Sequence, residues 1–238
     1  MSAPSSAPDP AVPGIATWPV KTRLLMLVLN SLPMWHVVLT LTTAMVMASE
    51  FGTWSGISAA LALLYLLPPL AIRLLLLCCP IKEGTHRIDS RAFLVWWATS
   101  QWQMIFCRLP ALEECLRLVP GLYSLWLRLW GAKIGRLTFW CAGLRILDRS
   151  LLRIGDDVVF GSGVRLNPHV IVEEDGQKFL HLAPITIGDR ALIGGYSLLT
   201  AGVTIEPDAA LRSFTLLPPF SVWSQGRRQR PTATHTTP

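Results

Sequence analysis

Apolar residues run almost unbroken over positions 24–79, and from Ile154 onward they return at every sixth position. These two patterns predict two unlike bodies. Between Arg23 and Glu50 stand 26 residues without Asp, Glu, Lys or Arg, and between Glu50 and Arg73 stand 22 more. About 20 apolar residues carry an α-helix across a bilayer. The spacing predicts a first span kinked at Pro33 and a second over residues 55–77, bent at Pro68-Pro69. Arg73 then snorkels to an interface or faces a partner. The link, residues 49–55, is short. Asn30 and His36, six apart in the first span, lie on nearly opposite helix faces. Each either hydrogen-bonds another helix or lines a substrate path.

Residues 91–130 combine sparse charge with Trp96, Trp97, Trp102, Trp126 and Trp130, and their apolar positions recur at helical spacing. Pro110 and Pro120 divide the stretch into three helices. Tryptophan and arginine belong at headgroup level, so these read as amphipathic helices lying in the interface.

From residue 187 the period is six. Ile187, Ile193, Leu199, Ile205, Leu211 and Leu217 keep it, and four positions after each stands a small or β-branched residue: Ala191, Ser197, Val203, Ala209, Thr215 and Ser221. Ile154, Phe160 and Leu166 form an earlier block with Val158, Val164 and Val170. A helix needs a period of 3.6 and a simple strand a period of 2, so six fits neither. It fits a parallel β-helix with triangular coils of three short strands. The large aliphatic points into the prism, the small residue fills the corner, and the turn takes Gly, Asn or Asp, which accept positive φ. Gly155, Gly161, Gly188 and Gly194 follow the aliphatic, whereas Thr200, Glu206, Arg212 and Pro218 replace glycine later.

Composition sharpens the picture. Of 238 residues 51% are hydrophobic and only 15% charged, against about 25% charged in a soluble domain. That excludes disorder and an all-soluble module. The net charge of +6 would raise nucleic acid as a partner, but it is unevenly placed. Residues 1–150 hold 13 Lys/Arg against 7 Asp/Glu, and the remainder hold 8 of each. Bases beside apolar spans read as membrane-surface anchors, and the chain is expected not to bind nucleic acid. Lys21 and Arg23 precede the first span and Lys82, Arg87 and Arg91 follow the second, so both ends and the C-terminal body are expected on the cytoplasmic side. Five cysteines match no zinc or disulfide framework. The first 19 residues carry no basic stretch of a cleaved leader. The organisation expected is a flexible N-terminus (1–19), two transmembrane helices (20–82), amphipathic interfacial helices (83–130), a β-helix domain (131–223) and a flexible basic tail (224–238).

The segments IGDDVVFGSGVRLNPHV and IGDRALIGGYSLLTAGVTIEP resemble the hexapeptide-repeat acyltransferases, and GAKIG at residues 131–135 resembles the lead-in to their β-helix. Two spans, aromatic helices and then the repeat are similar to the membrane-tethered subset. The resemblance implies a left-handed parallel β-helix behind a transmembrane hairpin. It implies acyl transfer, from acetyl-CoA or another acyl-CoA and without metal, to a hydroxyl or amine of a lipid-linked or amphiphilic acceptor. It implies a homotrimer at a bilayer, here the bacterial inner membrane.

The site is expected where the repeat breaks. Leu166 and Ile187 are 21 apart, not a multiple of six, so the chain leaves the prism between them, with Asp175-Gly176 as a turn signal. Insertions in repeat proteins become loops on the binding face. His169 opens this loop and matches the family's catalytic histidine, a general base that takes the acceptor's proton. Glu173, Glu174 or Asp175 would hold its other ring nitrogen, and backbone N–H groups at a coil corner would hold the oxyanion. Asn167, Lys178 and His181 are candidates for acceptor binding. Gly194, Gly195, Ala201, Gly202 and Arg212 are candidates for the acyl-CoA, with the Arg227–Arg230 run a second choice for its phosphates or for the membrane surface. Two other readings compete. One is a non-catalytic membrane scaffold of a biosynthetic complex. The other is a carbonic anhydrase-like metalloenzyme, for which a third histidine is missing beside His169 and His181.

Overall fold

The computed structural model describes residues 20–229; the expected flexible N-terminus (1–19) and the last nine residues of the expected tail lie outside them. Four apolar helices come first: α1 (Val20–Asn30), α2 (Leu32–Phe51), α3 (Thr53–Tyr65) and α4 (Leu67–Cys78). They form two runs, Val20–Phe51 and Thr53–Cys78, long and apolar enough to cross a membrane, with mean hydropathies of 1.8 and 2.2. The breaks fall at Ser31, just ahead of Pro33, and at Leu66, just ahead of Pro68-Pro69. Proline has no N–H, so Pro69 leaves the Tyr65 carbonyl without its helical donor. The indole of Trp126 takes its place at 2.9 Å. The link is one residue, Gly52 at φ 86°, not seven.

Small residues let α2 and α3 touch: a Cβ on Gly56 would lie 2.6 Å from the Ala44 carbonyl oxygen. His36 donates from Nε2 to the Leu63 carbonyl of α3 at 2.9 Å. Asn30 accepts from the Trp97 indole at 2.9 Å. Both polar residues are thus engaged in joining helices.

The middle region is not all helix. It opens with a strand, β1 (Gly84–Arg87), before α5 (Arg91–Arg108), α6 (Ala111–Arg117) and α7 (Leu122–Leu129), which divide at Pro110 and Pro120 as the sequence predicts. Its tryptophans also depart from expectation. Trp96, Trp126 and Trp130 are 1–4% exposed, so they are packing residues and not a headgroup belt. Phe106, Trp126 and Trp130 stand edge-on to one another and join the core of the prism below.

The prism begins at Lys133, one coil before the regular hexads of the sequence. Its first coil is β2 (Lys133–Ile134), β3 (Phe139–Trp140) and β4 (Arg145–Ile146); its second is β5 (Leu152–Ile154), β6 (Val159–Phe160) and β7 (Arg165–Leu166). A hairpin follows, β8 (His169–Glu174) and β9 (Gln177–Leu182). The third coil is β10 (Ile185–Ile187), β11 (Leu192–Ile193) and β12 (Leu198–Leu199), and the fourth is β13 (Thr204–Ile205), β14 (Ala210–Leu211) and β15 (Leu216–Leu217). Then β16 (Val222–Ser224) caps the first face and β17 (Arg227–Gln229) folds back on it antiparallel. The start of the expected flexible tail is therefore a strand.

Like residues stack in parallel register. Ile134, Ile154, Ile187, Ile205 and Trp223 form one inward column, Trp140, Phe160, Ile193 and Leu211 a second, and Ile146, Leu166, Leu199 and Leu217 the third. The Trp140 and Phe160 rings lie parallel at 4.9 Å.

The corners separate two roles of glycine. Positive φ falls three residues after most inward residues. Gly143, Gly163, Gly202, Asp157 and Asp208 take it as expected, but Leu137, Arg190, Tyr196, Phe214 and Phe220 take it too, at φ 52–58°. Such backbone costs about 1–2 kcal/mol per residue, and stacked rings offset it: Tyr196 and Phe214 lie parallel at 5.3 Å. The glycine directly after the aliphatic serves close approach instead. A Cβ on Gly188 would stand 2.4 Å from the Pro207 nitrogen.

Gly188→Ala should therefore cost more than the roughly 1–3 kcal/mol of ordinary overpacking, because backbone opposes it. Gly176→Ala, at φ 70° but facing open space, should cost about 1–2 kcal/mol. Denaturant unfolding in detergent would check the order.

Candidate functional site

Both interruptions of the repeat leave the prism at one corner, the one that follows the third face (β4, β7, β12, β15). After Ile146 the next inward residue is Ile154, eight positions on, and the two extra residues form a short bulge with Asp148 at φ 45° and a 3₁₀ turn, Arg149–Leu151. After Leu166 comes the hairpin. Its turn is Asp175-Gly176, at φ 49° and 70°, a two-residue turn of the kind that suits strand twist. The expected loop is thus a strand pair, and β1 adds a third strand to β9, with Thr85 opposite His181.

One corner above the other, the two excursions meet. Nδ1 of His169 donates to Oδ2 of Asp148. The other carboxylate oxygen accepts from the Trp96 indole of α5 at 2.9 Å. The Trp96 ring also stands edge-on to the imidazole, 4.8 Å between centroids. Asp148 is buried, with 4% of its side chain exposed, and His169 keeps 22%. Among the described residues no partner engages Nε2. Burial pushes the His169 pKa down, but the hydrogen bond and charge of Asp148 outweigh it, and the pKa lies above its ordinary 6.5.

A buried ionic cluster holds the bulge. Arg149 donates from Nε to Glu113 at 2.9 Å and its backbone N–H donates to Gln103 at 2.8 Å. Its guanidinium lies 5.4–5.6 Å from the ring centres of Phe106, Trp126 and Trp130. Arg117 and the Tyr123 hydroxyl donate to the second Glu113 oxygen at 2.9 and 2.8 Å. Burial works against the charge on Arg149, and the Glu113 carboxylate keeps its pKa raised. Removing one partner of such a pair costs about 3–5 kcal/mol. The residue after Asp148 is thus nailed to α5 and α6.

The acids expected to orient His169 do not reach it. Glu173 lies opposite Lys178 on the hairpin, and Glu174 opposite Gln177. Four residues of strand, about 13 Å, separate Glu173 from His169. Asp175 is the turn residue beyond them. Lys178 is carried outward on the same hairpin, whereas Asn167 sits two residues before His169 with its N–H on the Leu199 carbonyl at 2.9 Å. His181 faces Val170 across the hairpin while His169 faces Leu182, so the two histidines lie on opposite hairpin faces. His181 bonds Thr85 at 2.8 Å and approaches Glu174 at 3.8 Å.

Of the residues expected to hold acyl-CoA, Gly194, Gly195 and Arg212 share one edge of the prism, between its second and third faces, beside the exposed rings of Tyr196 and Phe214. Ala201 and Gly202 lie instead at the corner of the two excursions, where Ala201 is 0% exposed and a Cβ on Gly202 would meet the Phe220 ring. Arg227 and Arg228 stand exposed on β17; Arg230 lies outside the described residues. Among the described residues no three His, Cys, Asp or Glu side chains are grouped to hold a metal ion.

Asp148 and Trp96 were missed by sequence reasoning. The signal for Asp148 was the spacing of eight from Ile146 to Ile154, visible once Ile134, Trp140 and Ile146 are counted as a coil. Nothing in the sequence singles out Trp96 from its neighbours.

No family model matches the chain, and no curated protein matches it. Among solved structures, a hexapeptide-repeat acetyltransferase of Vibrio cholerae O1 biovar eltor complexed with acetyl coenzyme A is 19% identical, TM-score 0.32, covering 53% of this chain and 88% of its own. A maltose O-acetyltransferase of Clostridium difficile 630 is 16% identical, TM-score 0.36, with 61% and 90% covered. A galactoside acetyltransferase in complex with coenzyme A is 15% identical, TM-score 0.33, with 52% and 81% covered.

Asp148→Asn should lower the His169 pKa, because the carboxylate charge that holds it up is lost while burial remains, and NMR titration of the imidazole would read it. A raised folded pKa stabilises the fold in full below the unfolded value and loses that contribution as pH rises through the folded one. The stability lost in Asp148→Asn should therefore be larger in mild acid than in alkali.

Proposed function

We propose that this protein is a membrane-anchored acyltransferase that moves an acyl group, acetyl in the simplest case, from CoA to a hydroxyl or amine. The observation that carries the reading is the Asp148–His169 pair, held by Trp96 where the prism is interrupted, with Nε2 unengaged among the described residues. An acyl-CoA supplies a thioester carbonyl, with Gly194, Gly195 and Arg212 the residues to hold it. His169 takes the acceptor's proton at Nε2 as the new C–O or C–N bond forms, and returns it to the departing sulfur as the C–S bond breaks. Asp148 fixes the tautomer that leaves Nε2 basic and stabilises the imidazolium formed in between.

The two apolar helical runs support an anchor in the bilayer, and the charge bias beside them supports a cytoplasmic prism. The tether fits an acceptor that is itself lipid-linked or amphiphilic, since both then diffuse in one plane. Exposed apolar residues on the second face, Phe139, Val159 and Leu192 at 39–60%, support a homotrimer that covers them. The scaffold reading lacks a use for a buried carboxylate aimed at a partly buried histidine, and no observation favours the metalloenzyme reading over transfer.

His169→Ala should lower transfer of labelled acetyl from acetyl-CoA to a total lipid extract by about 10²–10⁴-fold, assayed below the melting temperature of the variant so that it is still folded. Equal product from wild type and variant would end the catalytic assignment. Trp96→Phe removes the indole donor and keeps an aromatic ring. It should lower kcat and shift the pH profile without altering KM for acetyl-CoA.

A further inference from the structure

Arg145 and Arg165 are neighbours on the third face. The parallel register sets Arg145 opposite Arg165 and Ile146 opposite Leu166. The aliphatics fill the prism, and both arginines stand outward and exposed. Adjacent strands lie about 4.8 Å apart, and like charges directly opposite repel. Among the described residues neither guanidinium has a carboxylate in ion-pair range. Glu114 of α6, which reaches the corner just before this face, is committed to Arg117 at 2.6 Å and to the Gly143 N–H at 2.9 Å. The column continues as Leu198 and Leu216, so apolar residues suit the place and the two arginines depart from it.

Their position gives the departure a use. Arg145 precedes Asp148 by three residues and Arg165 precedes His169 by four. Four residues of extended chain reach at most about 14 Å, so the pair flanks the Asp148–His169 site on the face the chain leaves there. Planar guanidinium groups match phosphate oxygens bidentately. Two of them one strand apart suit a single phosphate gripped from two sides, or the two groups of a diphosphate, and the anion removes the repulsion between them.

We infer that Arg145 and Arg165 bind a phosphate group of a substrate processed at His169, so that the enzyme acts on a phosphate-bearing molecule at this face. The substrate assignment rests on the acyltransferase reading; the anion site does not. The phosphate belongs either to CoA or to the acceptor, as in a diphosphate-linked lipid.

The test is calorimetric titration of the full-length protein in detergent with inorganic pyrophosphate. Wild type should bind it, more weakly as salt rises. Arg145→Gln and Arg165→Gln should each weaken binding about tenfold, the double variant more, and His169→Ala not at all. Neither single variant should melt earlier than wild type, because each relieves a repulsion. A parallel titration with CoA separates the sources. CoA affinity that falls with pyrophosphate affinity assigns the phosphate to CoA, and unchanged CoA affinity assigns it to the acceptor. Wild type that binds no pyrophosphate, or a double variant that binds it as wild type does, overturns the inference. So does a double variant that only changes oligomeric state. If the arginine dependence holds while His169→Ala retains acyl transfer, the anion site stands and the acyltransferase assignment of His169 fails.

Discussion

The coils of the prism rest on one another backbone to backbone. A Cβ on Gly161 would fall 2.5 Å from the Gly195 nitrogen, and one on Gly194 2.3 Å from the Ser213 nitrogen. At that spacing no face tolerates an extra residue, since one more would turn each inward side chain outward. Extra residues must leave at a corner and return in phase. Here both departures use the same corner, two residues after Ile146 and fifteen after Leu166, and so residues 21 apart in sequence come into hydrogen-bond contact. The Asp148–His169 pair is a consequence of how insertions are accommodated in stacked coils.

The same corner is where the helical body presses on the prism. Trp96 reaches from α5 to Asp148, Glu113 from α6 to Arg149, and Trp126 from α7 to the carbonyl that Pro69 frees in the second apolar run. Burying Arg149 and Glu113 is costly in itself and becomes tolerable only with the geometry complete. Such a cluster specifies one docking arrangement and tolerates few others. The orientation of the imidazole is thereby tied, through three aromatic helices, to the two apolar helical runs, so it holds a set distance from them.

The fold was largely legible because it is periodic. Inward residues six apart, small corner residues four later and glycines at the backbone contacts can be counted without coordinates. The first coil escaped the count because Trp140 is an unusual inward residue and because the spacing of eight after Ile146 broke the beat. The corner backbone was only half legible for a different reason: Gly and Asp hold five of the positive-φ places, but Tyr196 and Phe214 adopt positive φ where their rings stack from coil to coil, a tertiary gain that local preference cannot anticipate. The tryptophans of the middle helices were misplaced likewise. Their spacing marks helical faces, but whether those faces meet lipid or protein depends on what is docked against them.

Sequence alone determined the two apolar helical runs and their proline breaks, the hexad prism, the point where it is interrupted, and the histidine standing there. Each is a local pattern, carried by spacing and by residue type. The tertiary structure decided what holds that histidine. Asp148 lies on another coil and Trp96 on another body of the fold, and neither is related to His169 by any period in the chain. Their meeting depends on the phase in which coils stack and helices dock, and packing sets that phase where composition does not.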